Sequence, residues 1–322
     1  MKSLSDILGP VHQELIKVTD YLESIKRTED QCLAKVFDNG LIKGGKQIRP
    51  SLVLLASKYH NYDLDSIIPM AASIELLHMA TLVHDDVIDN SSIRHGRPSV
   101  NNIRGNKLAV LLGDFLLSKA GEICAGTDNL RVTKLFTRTM AMMAIGELNQ
   151  ISDAFNPEQT QERYLDRIYK KTASMFVLAT ESGAILSQAP EMSIEILREY
   201  GYNFGMAFQI IDDIMDIQGT EKQLGKPVGS DLDHGILTLP TLLIQEHYGK
   251  DNPIKKYLEN RGGPKEKERV IDIIHNSAVI QECYNIAGSY CVKACQNINQ
   301  LPHNSCTDAL RELAFYIVRS DV

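Results

Sequence analysis

Tryptophan is absent from the 322 residues, and aromatic side chains make up only 6% of them. β-Sheet cores draw on aromatic and β-branched residues; the abundant Leu, Ile and Ala here suit a helical interior instead. No hairpin dipeptide sits between alternating β-branched runs, so strands are not expected. No window approaches ~20 uninterrupted apolar residues, so no transmembrane segment is expected. Met1 to Pro10 lack a basic flank followed by a long apolar run, which speaks against a signal peptide. Cys32, Cys124, Cys283, Cys291, Cys295 and Cys306 are scattered, without the paired spacing of a zinc site. They read as small core or surface residues of a reduced, cytoplasmic protein. A formal charge of -7 leaves no general nucleic-acid surface, which needs a basic stripe. Anionic ligands stay open, because local charge decides those.

What is present is helical periodicity almost everywhere. Ile68 to Ile88 is a long apolar segment, with Ile74, Leu77, Thr81 and Ile88 at helical spacing. Lys107 to Ala125, Asn129 to Ala154, Gln159 to Ser187 and Met192 to Ile217 read the same way. Leu237 to His247, Glu266 to His275, Ala278 to Asn297 and Cys306 to Arg319 are shorter helices. The breaks are brief and polar, and no linker rich in Gly, Pro or Ser intervenes. An all-α single domain over residues 1–322 is the economical expectation.

One echo stands out. His84-Asp85-Asp86-Val87-Ile88-Asp89 resembles Ile211-Asp212-Asp213-Ile214-Met215-Asp216, and each ends a long apolar helix before a polar loop. Residues four apart share a helix face, so Asp85 aligns with Asp89 and Asp212 with Asp216. Three carboxylates on one turn repel one another and call for a cation. Mg²⁺ takes oxygen ligands, keeps waters and bridges one or two carboxylates to phosphates. A solvated acidic helix end would explain one such cluster, but two matched clusters fit that explanation poorly. Phosphate also needs positive groups. Gly44-Gly45-Lys46 with Arg49-Pro50, Arg94 and Arg97 after the first cluster, Lys171-Thr172, and Gly225-Lys226 after the second supply them.

These residues, in this order from about Lys43 to Pro240, resemble the trans-isoprenyl diphosphate synthases, the polyprenyl synthetase family. The shared pattern includes Glu75-Leu76-Leu77-His78, Gly96-Arg97-Pro98, Gly146-Glu147-x-x-Gln150, Lys171-Thr172-Ala173, Gln209-x-x-Asp212-Asp213-x-x-Asp216 and Gly229-Ser230-Asp231. The resemblance implies a helical bundle around a deep central cavity, the isoprenoid synthase fold, with both clusters facing each other at its mouth. It implies three Mg²⁺ held with an allylic diphosphate by Asp85, Asp89 and Asp212, with Asp86, Asp213 and Asp216 as supporting or water-mediated ligands. Arg94, Lys171 and Lys226 would hold that diphosphate, and Lys46, Arg49 and His78 the one of isopentenyl diphosphate. Thr172 and Gln209 would line the reacting centre, and a homodimer is expected. A class I terpene cyclase would share one cluster but would not need the second or the Lys46–Arg49 pair. A non-catalytic subunit of a heteromeric synthase would usually lose one or both clusters.

Three positions depart from the family pattern. Gln47 and His95 stand where arginine is common, and Ile236 where lysine often occurs. His95 remains a weaker, pH-sensitive phosphate donor. Chain length is expected to be set on the first cluster's helix. Ala80 lies five residues before Asp85, roughly 7.5 Å along the axis, where an aromatic residue stops elongation early in the family. With Ala80 and the modest Thr81 there, Leu77 and Ile74 become the next floor. By the resemblance, the missing block favours a product of about C30 or longer; a plug from another helix, through Met142 or Phe115, would instead give a shorter farnesyl or geranylgeranyl product.

Overall fold

A computed structural model describes residues 2–28, 45–94, 96–220, 227–249, 252–259 and 262–319. Gly44, His95, Gly225, Lys226 and Cys32 therefore lie outside the described residues. In chain order the helices are α1 (Leu4–Ile7), a 3₁₀ turn (Gly9–Val11), α2 (His12–Thr28), α3 (Ile48–Ser57) and α4 (Leu64–Ile88). A hairpin of β1 (Ile93–Arg94) and β2 (Arg97–Pro98) follows, then α5 (Val100–Arg104), α6 (Asn106–Ala125) and α7 (Leu130–Asp153). Next come α8 (Gln161–Ile168), a π-helical turn (Tyr169–Ala173), α9 (Ser174–Leu186) and α10 (Glu191–Gln218). The rest are α11 (Ser230–Asp233), α12 (Leu239–Tyr248), α13 (Pro253–Glu259), α14 (Pro264–His275), α15 (Val279–Ile298) and α16 (Ser305–Arg319).

The all-α expectation holds, with two corrections. Strands do occur: Ile93 pairs with Pro98 and Arg94 with Arg97, antiparallel. Two residues per strand leave no alternating pattern to read, and Gly96, at φ 73°, makes the turn. The expected helix from Gln159 to Ser187 is instead three pieces, because the π turn inserts an extra residue between α8 and α9.

The contacts divide the chain into two compact units. The first comprises Met1–Arg138, Met175–Gly201 and Asn297–Leu313. Within it α4 packs on α6, α3 and α2. By length and composition α4 is apolar enough to cross a membrane, which counting uninterrupted runs did not reveal. Its apolar stretch is 67% buried inside the protein, against those neighbours. Ser73 Oγ donates to Ala120 O at 2.7 Å, and the His84 ring lies 3.2 Å from Val110 O, so α6 is tied to α4 at two levels. The helices also approach at Gly183 on α9. A methyl there would meet Val53 O of α3 at 2.4 Å, so backbone rather than a side chain would have to move. Gly183→Ala should cost about 2 kcal/mol or more, read as a drop in thermal midpoint; an unchanged midpoint would refute the close approach.

The second unit comprises Thr139–Ser174, Tyr202–Gln296 and Ala314–Val322. Its core joins Tyr164 and Ile168 of α8, Met206, Ile210 and Ile214 of α10, and Leu242 and Leu243 of α12, with Cys283 and Ala287 of α15. All five described cysteines, Cys124, Cys283, Cys291, Cys295 and Cys306, are buried thiols.

Candidate functional site

The first cluster sits where its helix ends. Asp89 caps α4, its N–H donating to Asp85 O at 2.8 Å. Asn101 Nδ2 and Ser91 N satisfy Asp86 O, each at 2.9 Å. A helix C-terminus carries partial negative charge and favours cations, yet the last turn of α4 holds carboxylates and no basic residue. The three side chains part company here. Asp86 is 4% exposed and accepts from Arg94 Nε at 2.9 Å and Nη2 at 2.7 Å, while Asp85 and Asp89 are only half-buried. Arg94, on β1, is thus brought to the cluster by the hairpin.

A second group lies at the start of α3 and along α4. Arg49 Nη1 is 3.2 Å from His78 Nε2; a guanidinium can only donate, so that nitrogen accepts. The Arg49 guanidinium also stacks 4.6 Å above the Phe176 ring. Glu75, the first residue of the Glu75-Leu76-Leu77-His78 motif, lies within the field of Arg49. Burial pushes its carboxyl above the ordinary range, with Arg49 pulling the other way. Lys46 is exposed beside Gly45. Gln47 explains one departure from the family pattern: it has a left-handed backbone (φ 48°), caps α3, and turns its side chain to Thr19 Oγ1 at 3.1 Å. Below the cluster, Ile74, Leu77 and Ala80 are buried, and half-buried Thr81 donates to His78 O at 2.8 Å.

In the second unit, Asp212, Asp213 and Asp216 occupy the last two turns of α10, again without a basic residue in the last turn. Asp212 is exposed. Asp213 is 4% exposed and accepts from Tyr164 Oη at 2.7 Å and Gln209 Nε2 at 2.8 Å. Asp216, 3% exposed, accepts from Ser230 Oγ at 3.0 Å and Asp231 N at 3.3 Å, which anchors the start of α11. Thr172 Oγ1 donates to Gln209 Oε1 at 2.7 Å, and Gln209 Nε2 also reaches Asp212 at 3.3 Å. Lys171, on the π turn, pairs with Glu147 of α7. Ile236 is half-buried, its N–H donating to Asp231 O at 2.9 Å. Tyr164, Glu147 and Ser230 were missed as site residues, although Glu147 and Ser230 lie within motifs visible in the sequence.

The electrostatics of the second cluster tell what it can hold. Burial, then the charges of Asp231 and Asp212, push Asp213 up to about 8, even against the Tyr164 and Gln209 hydrogen bonds. Among the described residues no three His, Cys, Asp or Glu side chains converge tightly enough to hold a metal by themselves. Mg²⁺ needs only one or two carboxylates when phosphate oxygens complete its shell. The donor set, hard oxygens on acidic helix ends, fits such an ion.

A carboxyl near 8 when folded and ~3.9 when unfolded binds its proton more tightly in the folded chain. Its stabilisation is therefore complete below about pH 4 and lost as pH rises through about 8. Thermal midpoints of chelator-treated protein should fall over that window, and Asp213→Asn should flatten the slope. A wild-type slope that Asp213→Asn leaves unchanged would exclude this carboxyl as its source.

A mainly helical chain thus carries two acidic helix ends, the first with Arg94 held against it. The family model for polyprenyl synthetase matches residues 30–275. Heptaprenyl diphosphate synthase component 2 of Geobacillus stearothermophilus is 38% identical, over 99% of this chain and 97% of its own. All-trans-nonaprenyl-diphosphate synthase (geranyl-diphosphate specific) of Rhodobacter capsulatus is 37% identical, over 96% and 95%. The crystal structure of a polyprenyl synthase from Caulobacter crescentus CB15, complexed with calcium and isoprenyl diphosphate, superposes with a TM-score of 0.94 at 30% identity, covering 99% and 98%. The chain belongs to the polyprenyl synthetase family: it has the isoprenoid synthase fold and is a trans-prenyltransferase.

Proposed function

We propose that the protein joins an allylic diphosphate to isopentenyl diphosphate with Mg²⁺, over several rounds, to an all-trans product of about C30 or longer, and that residues 1–322 act as one polyprenyl synthetase domain in the cytoplasm. One observation carries the site assignment. Each cluster divides into accessible carboxylates (Asp85, Asp89 and Asp212) and buried ones already occupied by protein donors (Asp86, Asp213 and Asp216). On this reading the accessible set ligates three Mg²⁺ and the buried set holds it in place. Mg²⁺, when bound, offsets the charge that develops as the allylic C–O bond breaks.

The chain's own groups do the rest. Arg94 spends Nε and Nη2 on Asp86, which leaves Nη1 for the allylic diphosphate, the ligand also proposed for Lys171 and Lys226. Lys46, Arg49 and His78, with His95, hold the other diphosphate. Thr172 and Gln209 fix the reacting centre, where the isopentenyl alkene forms the new C–C bond and its proton passes to the departed diphosphate. Apolar helix faces exclude water, which would otherwise trap the cation as an alcohol. Long-chain products of the relatives named above support the proposed length.

The test is incubation of purified chain with Mg²⁺, labelled isopentenyl diphosphate and each allylic primer, followed by chromatography of the dephosphorylated products. Mg²⁺-dependent incorporation into long products is expected. A relative called component 2 favours a second reading, the catalytic subunit of a heteromer. An isolated chain that binds Mg²⁺-diphosphate without elongating would favour it; loss of that binding too would overturn the residue assignments. For the homodimer, support comes from an exposed stripe on α7: Ile145, Leu148 and Ile151. Leu148→Glu should turn the sedimenting species into a monomer, and an unshifted mass would remove that stripe from the interface.

A further inference from the structure

The Gly146-Glu147-x-x-Gln150 motif has no part in the reading above. It lies on α7, and the π turn Tyr169–Ala173 rests against it. A methyl at Gly146 would meet Lys171 N at 2.8 Å and Lys171 Cα at 3.1 Å, so the bare backbone of α7 seats the root of the Lys171 side chain. At the other end, Lys171 Nζ lies 2.5 Å from Glu147 Oε2. Gln150 Nε2 donates to Glu147 Oε1 at 3.2 Å, one turn further along α7, and so holds the carboxylate's rotamer. Both members of the pair are largely shielded, at 28% and 16% exposure, where an ion pair is screened less than at the surface. Lys170 differs in its partner: it pairs with Asp166 of the preceding α8, an i,i+4 contact that makes no link to α7.

We propose that Glu147 is the positioning residue of Lys171, holding its ammonium in place for the allylic diphosphate. The proposal rests on reading Lys171 as a ligand of that diphosphate. A lysine is a point charge on a flexible four-carbon stem, and ordering it during binding weakens affinity. Glu147 completes that ordering in advance. Thr172, the next residue, is bonded to Gln209, which reaches Asp212 and Asp213. The π turn is therefore pinned on both sides, by α7 through Lys171 and by α10 through Thr172.

The test is steady-state kinetics of Glu147→Gln, which keeps the shape and can still hydrogen-bond Gln150 but removes the charge. The KM for the allylic primer should rise about ten-fold on loss of this ion pair, while the KM for isopentenyl diphosphate stays unchanged even where the thermal midpoint drops modestly. Glu147→Asp, which keeps the charge, should recover part of the loss. Calorimetric binding of inorganic pyrophosphate with Mg²⁺ should weaken in parallel. If Lys171→Ala raises the primer KM and Glu147→Gln does not, the proposal fails and the reading of Lys171 stands. If Lys171→Ala leaves it unchanged, the reading itself fails. A fall in midpoint with both KM values raised alike would mark Glu147 as merely structural and overturn the proposal.

Discussion

Asp85→Asn should lower turnover by about a thousand-fold or more, the scale lost when charge stabilisation at a reacting centre is removed, while the metal-free protein becomes no less stable. The second half of that expectation separates function from folding. Asp85 stands on the acidic end of α4, beside Asp86 and Asp89 and without a basic residue in that turn. Removing one charge relieves repulsion and an unfavourable encounter with the helix dipole. Asp86→Asn should behave in the opposite way. It leaves the Arg94 guanidinium, half-buried, without its carboxylate, and stability should fall along with activity. Turnover at saturating Mg²⁺ and melts in chelator read the two effects. An Asp85→Asn enzyme within ten-fold of wild type would remove this residue from the ligand set.

Ala80→Phe should shorten the product by several isoprene units, to about C20 or less. Residue 80 lies roughly 7.5 Å from Asp85 along α4, and each further turn adds ~5.4 Å of depth. Leu77 and Ile74, buried one and two turns deeper, are the next floor once Ala80 admits the growing chain. A larger side chain in a buried position also strains packing by about 1–3 kcal/mol, so the variant should melt earlier while still condensing primers. Chromatography of dephosphorylated products decides it. A distribution unchanged from wild type would mean that another residue sets the length.

The sequence was a good guide to what local spacing encodes. Both aspartate clusters were legible because a four-residue spacing puts carboxylates on one face. The long helices were legible because an apolar stripe repeats over many turns, and α6, α7 and α10 begin and end within a residue of the expected bounds. The partners of those residues were not legible. Tyr164 meets Asp213 across 49 residues, and nothing in an amphipathic α8 distinguishes that tyrosine from a core aromatic. The link from Lys171 to Glu147 likewise joins two elements that only folding brings together. Which aspartate of each cluster turns inward was hidden too, since the choice belongs to Arg94, Tyr164 and Ser230 rather than to helical geometry. The hairpin was missed for being too short to carry a period.

The π turn has a consequence for how this stretch can change over time. It is an α-helix with one residue too many, so it carries information in a count as well as in the side chains of Lys171 and Thr172. Deleting a single residue between Tyr169 and Ala173 would let α8 and α9 fuse into one regular helix and rotate everything beyond by ~100°. Lys171 and Thr172 would lose their bearings toward Glu147 and Gln209 even with every side chain retained elsewhere. Away from Lys171 and Thr172, substitutions here should be tolerated far better than single-residue gains or losses, so length is an inherited character of this segment.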